Sequence, residues 1–367
     1  MKLKVDYKEL LSMVEKVSVA ADIRQDNVYR CVFIQALLDK LVLSTTNLEL
    51  FVKTETTAEV KEQGSVLVNA DIFFKSVKKM SANQISLELK NNQLLIRSIE
   101  TGSTTRMQSL DELGPFPENK QEILGDSCIF NGKIFNKMVQ KILFVGDPYA
   151  KDISSVNATA TIFVKDNIMK LQILDDYRIG VRMEDIEENE SFSFKLRLKN
   201  LKEIATLIKD EEEVKIINSN NHLDIRFKNT YVASRAINTQ TMNAVEYFGD
   251  KFHQNSSFTL KRQQLIDTLE RALVFEGKAH FFIDIKKDGY ALLTAQTESG
   301  AVEDKVKATL NGDEIKVCFN AKFGIEIFKA LDSEDITIYY IDKKNPLIIT
   351  DNKNYFYILM LINYEYK

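Results

Sequence analysis

VNADIFFKSVKKM occupies residues 68–80, and FNAKFGIEIFKAL occupies residues 319–331. Each opens on an apolar residue followed by Asn-Ala, then sets apolar side chains at helical spacing and closes on a large one, Met80 or Leu331. A looser third copy, LRLKNLKEIATLI, lies between them at 196–208. The starts at 68, 196 and 319 are 128 and 123 residues apart. Spacing this regular marks an internal repeat, and the repeat decides how every other segment is read.

Working outward, each copy is followed by two alternating stretches around a polar turn. They are ISLELKNNQLLIRS (85–98), VKIINSNNHLDIRF (214–227) and ITIYYIDKKNPLIITD (336–351). Period-two alternation about an Asn-rich or Lys-Asn turn predicts a β-hairpin. A second helical phrase also recurs: VDYKELLSMVEKV (5–17), FNGKIFNKMVQKI (130–142) and LKRQQLIDTLERA (260–272). Its apolar trios are Leu10, Val14, Val17; Phe135, Val139, Ile142; and Leu265, Leu269, Ala272. Each trio marks one buried face of an amphipathic helix. The fold class is therefore α+β: three tandem repeats, each with two helices packed on antiparallel strands, about eight per repeat. Pro, Gly, Asn and charge cluster at 114–127 and 247–257, which divides the chain into domains 1–124, 125–252 and 253–367.

At 367 residues the chain is long enough for three domains with separate cores. Thirteen glycines and four prolines exclude collagen-like and linker-rich classes. No run of 18 apolar residues is present, and MKLKVDYKELL lacks the apolar core of a secretory signal, so a cytoplasmic protein with no membrane segment is expected. Cys31, Cys128 and Cys318 are far apart and odd in number, which suits reduced, buried thiols.

The net charge of −4 is unevenly distributed. Segments 6–18, 69–80, 131–144, 197–209, 259–275 and 320–331 hold 17 Lys and Arg against 8 Asp and Glu, a surplus of +9. Everything else carries −13. A solvated helix face is often lysine-rich for solubility alone. Six repeat-related helices set against an acidic remainder describe a positive stripe that binds a polyanion without reading bases.

Catalytic chemistry is not written in the chain. His222, His253 and His280 have no metal-ligand spacing, and neither a Walker A motif nor GxSxG is present. Asp175 and Asp176 resemble a metal pair, but neighbours on a strand point to opposite faces. Ser154-Ser155 has no base at a useful spacing. No catalytic residue, metal or cofactor is expected.

Over its whole length the sequence resembles the bacterial DNA polymerase III beta subunit, the beta sliding clamp. The likeness rests on the threefold repeat, the two Asn-Ala phrases, NNQLLIRS with FPE (116–118) after it, DDYRIGV (175–181) and the apolar end YILMLI (357–362). It implies a homodimeric ring of six domains with twelve helices inside. At a helix spacing of about 8–10 Å the hole would be roughly 35 Å across, wider than duplex DNA. It further implies a non-catalytic processivity factor on double-stranded DNA. Its partners would be the polymerase III alpha subunit, the clamp loader and other proteins carrying a clamp-binding motif. The alternative is a divergent paralogue that binds partners in repair or a mobile element without a replicative role.

Carried over position by position, the resemblance implies DNA contacts at Arg24, Lys137, Lys141, Tyr149, Lys151 and Lys199. It places Thr105 and Met107 opposite Leu273 and Val274 at the dimer interface. The partner-peptide pocket would take Val156, Leu174, Arg178, Ile179, Met242 and Tyr247 from domain two and the linker. Domain three would add Asn320, Phe323, Pro346, Ile358, Met360 and Ile362. Arg178 and Asn320 are the expected polar anchors among apolar neighbours. Met242 and Leu361 stand where the family usually has prolines, and Tyr177 where it has histidine, so a groove of altered shape is expected.

Overall fold

The computed structural model of the chain describes all residues except 23–26, 119–124, 153–154, 188–189, 220, 253–255, 278, 352 and 364–367. Its helices are α1 (Tyr7–Val17), α2 (Ala70–Lys78), α3 (Gly132–Ile142), α4 (Leu198–Leu207), α5 (Ala244–Phe252), α6 (Arg262–Phe275) and α7 (Ala321–Ala330). Six of them are the repeated phrases. The Asn-Ala opening has a local cause: Asn69 caps α2 by accepting from Ile72 N, and Asn320 caps α7 by accepting from Lys322 N and Phe323 N. Such a cap is worth about 1 kcal/mol. In the other helical phrase, α3 opens on Gly132, whose N–H donates to Glu211 O at 2.9 Å. A Cβ there would lie 2.1 Å from the Ile208 carbonyl oxygen, so only glycine fits.

The three apolar trios are all buried, none more than 2% exposed. The predicted hairpins also form, and in the first the turn residues Asn91 and Asn92 have φ of 51° and 62°. Both central residues are left-handed, the geometry of a type I′ turn and the reason asparagine is used.

α5 was not expected. Its residues overlap the 247–257 stretch that composition marks as a boundary. Tertiary contacts fix it: Gln172 accepts from Ala244 N at 2.9 Å, while Val245 and Phe248 pack on a core cluster that includes Val181, Phe356 and Ile358.

By packing, the described residues form two compact units, 1–133 with 203–237 and 134–202 with 238–367. The first holds two antiparallel sheets. One has five strands, in the order Glu59–Glu62, Lys2–Asp6, Gln84–Lys90, Gln93–Ser98, Thr104–Gln108. The other has eight, and in it Thr230–Arg235 of the second repeat pairs with Leu50–Thr57 of the first. The second unit holds a twelve-stranded sheet in which Arg178–Asp185 of the second repeat pairs with Tyr355–Leu359 of the third. Sheets thus run on across the repeat boundaries, because each repeat's free strand edge is covered by the next repeat.

Cys31, Cys128 and Cys318 are free and buried, and burial pushes their thiols up to about 11, 12 and 12 respectively. Thiols so shifted are inert at neutral pH.

Candidate functional site

The seam inside the second unit gathers most of the expected pocket residues. Leu174 pairs with Ile179, which in turn pairs with Ile358. Past the end of its strand, the chain keeps two backbone bonds: Met360 N donates to Tyr177 O at 2.9 Å, and Ile362 N to Cys318 O at 2.8 Å. Gln172 Nε2 donates to Met242 O at 2.8 Å and so holds the segment that leads into α5. Exposed apolar side chains concentrate here: Val156, Tyr177, Met242, Tyr247 and Met360 are each more than 40% exposed. Exposed apolar groups around polar anchors are what a peptide pocket presents.

The seam also corrects several expectations. Tyr355–Leu359 completes the sheet and is buried throughout, so Ile358 is core and only the end of YILMLI, from Met360 onward, reaches the surface. Pro346 is buried as well. Asp175 and Asp176 lie in a turn between strands, not on one. Asp175 Oδ1 accepts from Tyr177 N at 2.8 Å and from Arg178 N, which makes it a turn-former and not half of a metal pair. Among the described residues no cluster of His, Cys, Asp and Glu could hold a metal ion.

Arg178 is 6% exposed. Its Nε and Nη2 both donate to Asp175 Oδ2, at 3.1 and 2.9 Å, its Nη1 donates to Glu326 Oε2, and its Nη2 also reaches Phe144 O at 3.3 Å. The guanidinium lies 4.2 Å from the Phe323 ring centroid and 5.6 Å from that of Phe144. Phe323 in turn stacks on Tyr177, with centroids 5.6 Å apart and planes 27° apart. Sequence reading missed Asp175, Glu326 and Phe144 as members of this site. An acid three residues before a strand arginine was the one local signal available.

On the α3 side of the same unit is a cavity of about 420 Å³ lined by Lys137, Lys141, Arg182, Glu184, Asp332 and Tyr355, among others. Lys141 is not a free cation: its Nζ is 2.8 Å from Asp332 Oδ1. The hydrogen bond from Lys141 holds the Asp332 carboxyl below its usual range, helped by the charges of Lys141, Lys137 and Arg182. Desolvation pushes the Glu184 carboxyl up, and the neighbouring charge of Asp185 adds to this. Arg182 donates to Ala330 O at 2.6 Å and packs over Tyr355 and Tyr357. Tyr357, whose hydroxyl donates to Lys141 O at 2.8 Å, is pushed up to about 12 by burial.

Of the expected DNA contacts, Lys137 on α3, Lys199 on α4 and Lys151 have exposed side chains. Tyr149 is 67% exposed, and its hydroxyl accepts from Lys202 Nζ at 2.9 Å. Arg24 lies outside the described residues. Among the described residues, the expected dimer residues lie on an edge strand and near a helix end. Thr105 and Met107 belong to Thr104–Gln108, the edge strand of the five-stranded sheet, with Met107 turned inward and buried. Leu273 and Val274 end α6, and Val274 is 81% exposed and therefore not core. Beside them, the strand Gly300–Asn311 pairs over 308–311 with residues 257–260 and over 300–307 with residues 290–297, so among the described residues 300–307 is paired on one side alone.

Three repeats of two helices each, with sheets continuous across their seams, define a clamp-type scaffold. Two models of one family match the sequence: the DNA polymerase III beta subunit N-terminal domain over residues 1–112 and its C-terminal domain over residues 252–362. A beta sliding clamp from Halalkalibacterium halodurans is 26% identical over 84% of this chain and 83% of its own length. One from Chlamydia pneumoniae is 23% identical over 98% of both. Among solved structures, the Thermotoga maritima DNA polymerase III beta subunit superposes with a TM-score of 0.87 at 22% identity, covering 99% of this chain and all of that one. The DNA polymerase sliding clamp of Bacillus subtilis gives 0.88 at 15% identity, covering all of both. The chain belongs to the DNA polymerase III beta subunit family, the beta sliding clamps.

Proposed function

We propose that the chain is a non-catalytic processivity factor of the cytoplasm. It encircles duplex DNA as a homodimeric ring and tethers the polymerase III alpha subunit, the clamp loader and other clamp-binding-motif proteins. The observation that carries this reading is the end-to-end likeness to sliding clamps, in which both family models keep their order and spacing. Repeat logic supports the ring. Two seams join repeat one to two and two to three, leaving Thr104–Gln108 of the first repeat and the free side of 300–307 in the third. These edges correspond to the two that pair at each internal seam. A second copy would satisfy both and close the ring by the same rule that built the chain. The three-domain division at 1–124, 125–252 and 253–367 follows the same repeat.

DNA contact would be topological first and electrostatic second, through Arg24, Lys137, Lys141, Tyr149, Lys151 and Lys199. The peptide would dock where Val156, Met242, Tyr247 and Met360 are exposed, with Leu174, Ile179, Phe323 and Ile362 partly covered beneath them. Two or three apolar peptide side chains at about 1.5–3 kcal/mol each, less the ordering cost, give micromolar affinity. The decisive experiment loads the protein on nicked circular DNA with its clamp loader. Retention through gel filtration and release when the circle is linearised are the expected results; retention on the linear product would overturn the proposal.

A further inference from the structure

We infer that Glu326 is a positioning residue for the partner-peptide pocket. With Asp175 it commits Arg178 to the protein's own frame, so the pocket reads its partner by apolar surface and through Asn320 rather than by an ion pair to Arg178. This rests on the pocket proposed above. An arginine at the base of a peptide groove is ordinarily the receptor for a carboxylate, which its planar fork binds bidentately. Here four hydrogen bonds from the Arg178 guanidinium already end on Asp175, Glu326 and Phe144 O. Little of its surface is left to meet a ligand. Asn320 differs: its Oδ1 caps α7, which leaves the amide NH2 to donate.

Glu326 sits three residues after Phe323 on α7, so the two side chains share one helix face. Its carboxylate draws the guanidinium onto the Phe323 ring, and behind that ring lies Tyr177, 56% exposed. Arg178, Phe323 and Tyr177 thus form a stack whose outermost member faces the peptide's path beside Met360. A second fastening keeps the helix in place independently. Arg182, four residues further along the same strand face, donates to the carbonyl of Ala330, the last residue of α7. Removing the Glu326 charge therefore loosens the stack without undocking the helix.

The test uses the full-length protein and a fluorescently labelled peptide from the clamp-binding segment of the polymerase alpha subunit. Glu326→Gln should weaken peptide binding about tenfold, equivalent to about 1.4 kcal/mol. Glu326→Asp, which keeps the charge, should restore most of that loss, and the sedimentation coefficient should match the parent in both. Free-acid and C-terminally amidated forms of the peptide should bind the parent equally. Affinity of Glu326→Gln within about twofold of the parent, or a loss of about tenfold on amidation, overturns the inference. The Met360→Ala, Ile362→Ala double variant separates the two readings. If it binds like the parent, the pocket and this inference fall together. If it loses the peptide while Glu326→Gln keeps it, only the positioning role falls.

Discussion

Arg178→Ala should be the most damaging single substitution at the seam. It removes the one cation shared by Asp175 and Glu326, whose side chains are 14% and 29% exposed. Breaking a buried ion pair by deleting one partner costs about 3–5 kcal/mol, and the partial exposure of Glu326 favours the lower end. Loss of the contact with Phe323 at 4.2 Å adds about 0.5–2 kcal/mol. Together they give about 4 kcal/mol. For a compact unit of roughly 200 residues each kcal/mol moves Tm by about 2–4 °C, so the transition of the unit containing 134–202 and 238–367 should fall by about 8–16 °C. Arg178→Lys should recover only part of this, since an ammonium cannot present a planar fork to two carboxylates. Differential scanning calorimetry of the full-length variants, with the unit's transition identified by limited proteolysis, is the assay. An Arg178→Ala transition within about 2 °C of the parent would refute the reasoning, because a truly shared buried cation cannot be removed that cheaply.

Leu273→Ala with Val274→Ala should yield folded monomers, and a dimer persisting at low micromolar concentration in sedimentation would show that α6 does not close the ring. Lys137→Ala and Lys199→Ala should each lower the salt dependence of DNA binding by about one unit of slope, without creating any base preference. Lys141→Ala should do less, because Lys141 is already engaged by Asp332. The Asp332 carboxyl is depressed in the fold, so its contribution is present above the ordinary aspartate range and fades as pH falls through the folded value. Asp332→Asn should therefore flatten part of the acid limb of the stability curve while changing stability little near neutrality, since this carboxylate is largely solvent-exposed.

The sequence by itself determined the repeat, the helices and the hairpins, because these are recorded locally. Asn69 and Asn320 cap the helices they precede, Asn91 and Asn92 make the left-handed turn, and the apolar trios lie one helical turn apart. The order and spacing of these phrases were also enough to point to the family. Tertiary structure completed α5: Asn243 caps it locally by accepting from Glu246 N, but its first amide is held by Gln172, some 70 residues earlier in the chain. It alone decided that Ile358 is core and Met360 surface, because burial at that strand depends on Arg178–Asp185 and Leu347–Thr350 flanking it on either side. The fate of Arg178 was equally illegible. Asp175 is near it in sequence, but Phe144, Phe323 and Glu326 reach it from other elements, and only their convergence turns an apparent ligand anchor into a structural strut. Periodicity reports which face of an element is covered; it carries no record of what covers it, and that difference separates a pocket wall from a core.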